Sequence, residues 1–169
     1  PVYALGLGLI RILIILSLIV SGAIYVLRGS LNLSTLLGKL TLDSLPKKLG
    51  GTDQKVRLHL GVLLFLFLAT VATSTYLSLF NLLTTQSGPV FGAAFTDANI
   101  MIPLVKVSVF AYGLAAFLAL FYGVSGKISP LLGAISLTVV VGLVSAIIPG
   151  VFQKLIVAPN ELVKETPFI

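Results

Sequence analysis

Four long apolar runs, at 3–27, 56–80, 103–124 and 128–152, decide what this chain can become, because the only charged side chains within them are Arg11, Arg57 and Lys106. A helix over any one of them is about 33–38 Å long at 1.5 Å per residue, against about 30 Å of hydrocarbon in a bilayer. Each run can therefore cross a membrane with some tilt. Composition closes off a soluble alternative: the chain is 57% hydrophobic and 9% charged, whereas a soluble domain carries about 25% charged residues. With 11 basic and 5 acidic side chains in 169 residues, a soluble core could not be covered with polar groups, and lipid must act as solvent. The expected fold class is an all-α polytopic membrane helix bundle of about four transmembrane helices, with an interfacial amphipathic helix and an outer re-entrant or interfacial loop.

The first span places Arg11 about two turns inside its start, where a guanidinium costs roughly 2.5–3.5 kcal/mol on insertion scales unless it reaches the interface or finds a partner. Both readings stay open. Ser17, Ser21 and Gly22 supply small residues for close helix contact. From 28 to 57 the chain turns basic, with Arg28, Lys39, Lys47, Lys48, Lys55 and Arg57 against Asp43 and Asp53. There Leu33, Leu36, Leu37 and Leu40 follow the i, i+3, i+4, i+7 pattern of an amphipathic helix. Ser30 or Asn32 could cap it and Pro46 would stop it. The expectation is a helix lying in the headgroup region, with Lys39, Lys47, Lys48, Lys55 and Arg57 contacting anionic lipid. A solvated loop is the plainer alternative. Nucleic acid is not expected, since the bases lie between hydrophobic spans without interleaved aromatics.

The second span holds the chain's one histidine, His59. Imidazole can ligate the magnesium of a chlorophyll-like pigment, but a single histidine near a basic interface more often serves as a hydrogen-bonding residue. Thr70, Thr73, Ser74 and Thr75 can bond to helix carbonyls or to neighbouring helices. The stretch 81–102 then breaks the apolar pattern with Gly88-Pro89 and Gly92, and carries one acid, Asp97. Pro103 is a favourable first helical residue for the third span, with Lys106 in its first turn. In the fourth span Gly142, Ala146 and Gly150 form a row for tight packing, and Pro149 should kink or fray the end. The tail from Ala158 onward is polar and is expected in water. Loops holding six, zero and one basic residues place 28–57 and Lys127 in the cytoplasm, and residue 1, 81–102 and the tail outside. Arg11, Asp97 and Lys106 would then share the outer side as a structural charge cluster, with Asp97 paired to Arg11 or Lys106.

Several motifs resemble the integral membrane proteins of uncharacterised protein family 0182: Pro1-Val2-Tyr3; Lys55-Val56-Arg57-Leu58-His59-Leu60; and Gly88-Pro89-Val90-Phe91-Gly92-Ala93-Ala94-Phe95-Thr96-Asp97, with Gly88, Pro89, Phe91 and Gly92 as its loop core. Gln153-Lys154-Leu155-Ile156-Val157-Ala158-Pro159-Asn160-Glu161-Leu162 and Glu165-Thr166-Pro167-Phe168-Ile169 continue it, so that it covers the whole chain. A phenylalanine stands at Phe95 where the family leads one to expect tyrosine. The resemblance implies a long bacterial protein of about seven spans followed by a large extracytoplasmic domain, of which this chain would be the last four spans. An opening at Pro1 and an abrupt end at Ile169 carry the same expectation of a fragment. It implies no activity or catalytic residue.

Catalytic motifs are thin: the sequence has no His-Glu-x-x-His, Gly-x-Ser-x-Gly or phosphate-binding Gly-rich loop with its lysine. Glu161 and Glu165 read as an exposed charged face. With no cysteine, neither a disulfide framework nor a thiolate metal site is available. The expected function is a non-enzymatic membrane module, without a cofactor, that anchors or scaffolds a larger assembly with other membrane subunits or the rest of its own chain, in a bacterial cell membrane. A transporter or channel component is the alternative, and a pigment-binding subunit is a third reading resting on His59.

Overall fold

The computed structural model describes residues 2–28, 53–82, 86–87, 90–91 and 95–160. Within them are four α-helices, α1 (Val2–Leu27), α2 (Gln54–Leu82), α3 (Ile102–Ser125) and α4 (Ile128–Phe152). All are long and apolar enough to cross a membrane, as the apolar runs required. The expected amphipathic helix, with Leu33, Leu36, Leu37, Leu40, Lys39, Lys47 and Lys48, and the tail from Glu161 lie outside the described residues.

The helix ends differ from expectation at three places. Helix α2 begins at Gln54 because Asp53 caps it: the Asp53 carbonyl accepts from Arg57 N at 3.1 Å, and its carboxylate lies 3.4 Å from Lys55 N. Pro103 is not the first helical residue of the third span, for helical backbone already begins at residue 95 and passes through a π turn at Asp97–Met101. Pro149 does not fray α4, which continues to Phe152, then through a π turn at Gln153–Val157 and a 3-10 turn at Ala158–Asn160. A membrane helix tolerates such a proline because hydroxyls and neighbouring helices can re-satisfy the carbonyls it frees. Between α2 and residue 95, strands β1 (Gln86–Ser87) and β2 (Val90–Phe91) pair antiparallel, Gln86 opposite Phe91 and Ser87 opposite Val90.

The chain divides into two compact units. The first is Pro1–Thr70 with Gly113–Ser136. Its core is a close crossing of α2 and α3, where Ala115, Ala119 and Gly123 repeat every fourth residue. A Cβ built on Gly61 would stand 2.9 Å from Gly123 Cα and 3.1 Å from the Ala119 carbonyl oxygen, so only glycine fits. Ala115, Ala116 and Ala119 are buried, and Phe65 meets Phe117 edge to face at 5.7 Å. Close backbone approach through small residues is how helices associate in lipid, where no hydrophobic drive separates protein from solvent. The row expected at Gly142, Ala146 and Gly150 does not play this part: Ala146 and Gly150 are exposed and a Cβ on Gly150 would meet nothing within 4 Å. Gly22 is likewise open.

The second unit is Val71–Tyr112 with Leu137–Ile169. Ser108 is buried and links α3 to α4 through Ser145, their hydroxyl oxygens 3.0 Å apart, while also donating to the Leu104 carbonyl at 2.8 Å. Thr75 and Ser78 donate to the carbonyls of Val71 and Thr75 at 2.9 and 2.6 Å. These hydroxyls are thereby satisfied without water.

Candidate functional site: paired π turns

Among the described residues of the second unit the helical backbone widens twice, by the same local cause. In the first π turn Ile102 N–H donates to the Asp97 carbonyl, and the next residue is Pro103. In the second, Ala158 N–H donates to the Gln153 carbonyl, and the next residue is Pro159. A proline inside a helix lacks an N–H and presses its ring on the carbonyl four residues earlier, here Asn99 and Leu155. Widening the preceding turn to an i→i−5 bond relieves that contact, and such bulges recur at functional sites. An asparagine amide donates back four residues in or just after each turn, Asn99 Nδ2 to the Phe95 carbonyl at 2.9 Å and, from the 3-10 turn that follows the second, Asn160 Nδ2 to the Ile156 carbonyl at 3.1 Å.

Side chains join the two turns. The Thr96 hydroxyl donates to Gln153 Oε1, Thr96 is buried, and the rings of Phe95 and Phe152 stack with centroids 6.4 Å apart at 13°. Val157, at the end of the second turn, is fully buried. Hydroxyl, amide and stacked rings make a neutral joint rather than a nucleophile with a base. The position where tyrosine was expected, Phe95, thus works through its ring face. Asp97 opens the first turn half-buried, while Lys154 in the second turn and Lys106 in α3 are exposed.

In the first unit the remaining polar side chains tie helices together. The Tyr25 hydroxyl and His59 Nδ1 are 2.6 Å apart, with the rings edge to face at 5.9 Å, so the one histidine joins α1 to α2. Arg57 packs at the C-terminal end of α3, where Gly126 turns the chain with φ +67° and a Cβ would stand 3.0 Å from the guanidinium carbon. The carbonyl end of a helix favours a cation there. Arg11 Nη2 donates to the Thr70 carbonyl at 2.9 Å, and its buried Nε meets no hydrogen-bond partner among the described residues. Lys55 is exposed. Of the loop motif, Phe91 lies in β2, and Gly88, Pro89 and Gly92 lie outside the described residues. Among the described residues no group of three or more His, Cys, Asp or Glu could hold a metal ion.

Thr96, Gln153, Phe152 and Tyr25 were not singled out from sequence as site residues. The available signal was the pair of prolines, Pro103 and Pro159, each at the border of an apolar run. The model of the Uncharacterised protein family (UPF0182) matches residues 1–169. Among curated proteins, a UPF0182 protein of Geobacter sulfurreducens is 32% identical over 163 residues, 96% of this chain and 17% of its own length. One of Pelobacter propionicus is 38% identical over 118 residues, 69% of this chain and 13% of its own. One of Trichlorobacter lovleyi is 30% identical over 174 residues, all of this chain and 18% of its own. The chain thus spans less than a fifth of the length of these relatives. No solved structure matches it.

Proposed function

From the premise that this chain belongs to the Uncharacterised protein family (UPF0182), we propose that it is a non-enzymatic membrane module that anchors or scaffolds a larger assembly in the bacterial cell membrane. The observation that carries this reading is the joint between α2 and α3, where Gly61 and Gly123 bring two backbones into direct contact. Such packing makes a rigid support. The hydroxyls of Thr70, Thr75, Ser78 and Ser108 point the same way, since each donates to a carbonyl of its own helix rather than lining a polar path. In this reading 28–57 faces the cytoplasm, with Lys39, Lys47, Lys48, Lys55 and Arg57 on anionic headgroups, and 81–102 and the tail face outward.

Transport is the second reading, favoured by the two π turns, because interrupted helices are where transporters place their binding sites. One preparation separates the two. The full-length protein, purified in mild detergent and reconstituted into liposomes, is expected to retain a stoichiometric protein partner and to pass no more ion or solute than protein-free vesicles. Saturable flux that disappears in a Thr96→Val, Gln153→Leu variant would overturn the scaffold in favour of transport.

A further inference from the structure

Arg11 is the one charged side chain of α1, and its hydrogen bonding is incomplete. At 1.5 Å per residue its acceptor, the Thr70 carbonyl, lies about 24 Å from the Gln54 end of α2 and about 18 Å from the Leu82 end. With α2 centred on about 30 Å of hydrocarbon, the guanidinium is bound roughly 12 Å below the nearer headgroup layer. That is too deep for the side chain to reach a lipid phosphate while holding Thr70. A carbonyl is neutral, so the charge meets no counter-ion among the described residues, and Nε is buried there with no acceptor. Charges inside the membrane pair with one another or with backbone carbonyls and face protein rather than lipid.

The chain cannot supply the missing anion from the interior of a span. Its five acids are Asp43, Asp53, Asp97, Glu161 and Glu165, and all fall before, between or beyond α1, α2, α3 and α4. Helix α1, meanwhile, has room for a neighbour: none of the residues in its most apolar window is buried. Gly8, one turn before Arg11 and on the same face, has nothing within 4 Å of where its Cβ would be. A glycine there lets another helix come close. The relatives carry more than four-fifths of their length outside the matched region, so further polypeptide exists to provide that neighbour.

We infer that Arg11 is the docking point for an aspartate or glutamate on a membrane helix contributed by the part of the polypeptide outside residues 1–169. The inference rests on the reading of this chain as one module of a larger membrane assembly. The carboxylate accepts from the free Nη, and the Thr70 carbonyl, bound by Nη2, holds the guanidinium in place to meet it, a charge-assisted pair whose strength grows with the loss of water.

The test is charge reversal in the full-length protein, read as the yield of monodisperse protein in mild detergent. Arg11→Glu is expected to lower the yield at least tenfold. Replacing, one at a time, each span-embedded acid outside this region by lysine should restore it in the Arg11→Glu background at one position only, and that same lysine should be harmful beside native Arg11. Arg11→Leu at wild-type yield would overturn the inference, as would rescue by no position. Rescue by Asp97→Lys would also overturn it, returning the anion to this chain. None of these results bears on flux through the reconstituted protein, so the scaffold reading stands or falls separately.

Discussion

Thr96 and Gln153 are 57 positions apart in sequence, and although each lies in a motif of its own, nothing local marks them as a pair. Their bond arises only because two helices each place a widened turn at one end. Polar pairs between membrane helices are worth about 0.6 kcal/mol on average and up to about 1.7 in double-mutant cycles. A cycle of Thr96→Val and Gln153→Leu in the full-length protein is therefore expected to show a coupling of about 1 kcal/mol in thermal unfolding, with each single change destabilising. Coupling indistinguishable from zero would mean that the hydroxyl and amide are each satisfied elsewhere. The residues that could be read in advance were the ones out of place by type, such as an arginine or a histidine in an apolar run. For His59 the hydrogen-bonding reading agrees with its bond to Tyr25. Tyr25 itself was hidden, because nothing in an amphipathic ring at a helix end announces which helix it will meet.

The helices were legible because lipid demands long apolar runs, and all four are where those runs lie. Their contacts were less so. Small-residue rows at Gly142 and at Gly123 look alike in sequence, but only the one containing Gly123 meets a glycine on a neighbour. Spacing shows that a close approach is possible; the partner's surface decides whether it occurs. Gly61→Leu would force a side chain into the Gly123 backbone and is expected to destabilise the protein by about 1–3 kcal/mol, since overpacked interiors shift backbone or adopt poor rotamers. Gly150→Leu, with nothing within 4 Å of the added atom, should leave the thermal midpoint within error of wild type. Equal effects of the two would remove the crossing from its place at the core of the first unit. Proline showed the opposite failure of reading. Pro103 reads as a beginning and Pro149 as a kink or a frayed end, yet each lies within continuous helical backbone, which rules out the fraying and the beginning.

At the scale of the whole molecule, the proposed crossings set a parity. Gly51 precedes the second span and Asn160 closes the fourth, so with three crossings between them the two should lie on opposite sides of the membrane. In the proposed topology the excess of lysine and arginine between 28 and 57 puts Gly51 on the cytoplasmic side. Arg57, beside Gly126 at the end of α3, draws the neighbourhood of Lys127 to the same end of the first unit, and Lys127 is the basic residue of the last short loop. The chain contains no cysteine, so single cysteines at positions 51 and 160 add one reporter each within this region. A membrane-impermeant maleimide applied to intact spheroplasts is expected to label Asn160→Cys at once and Gly51→Cys only after lysis. Labelling of both before lysis would mean that one of the three helices between them, α2, α3 or α4, lies along the membrane instead of crossing it.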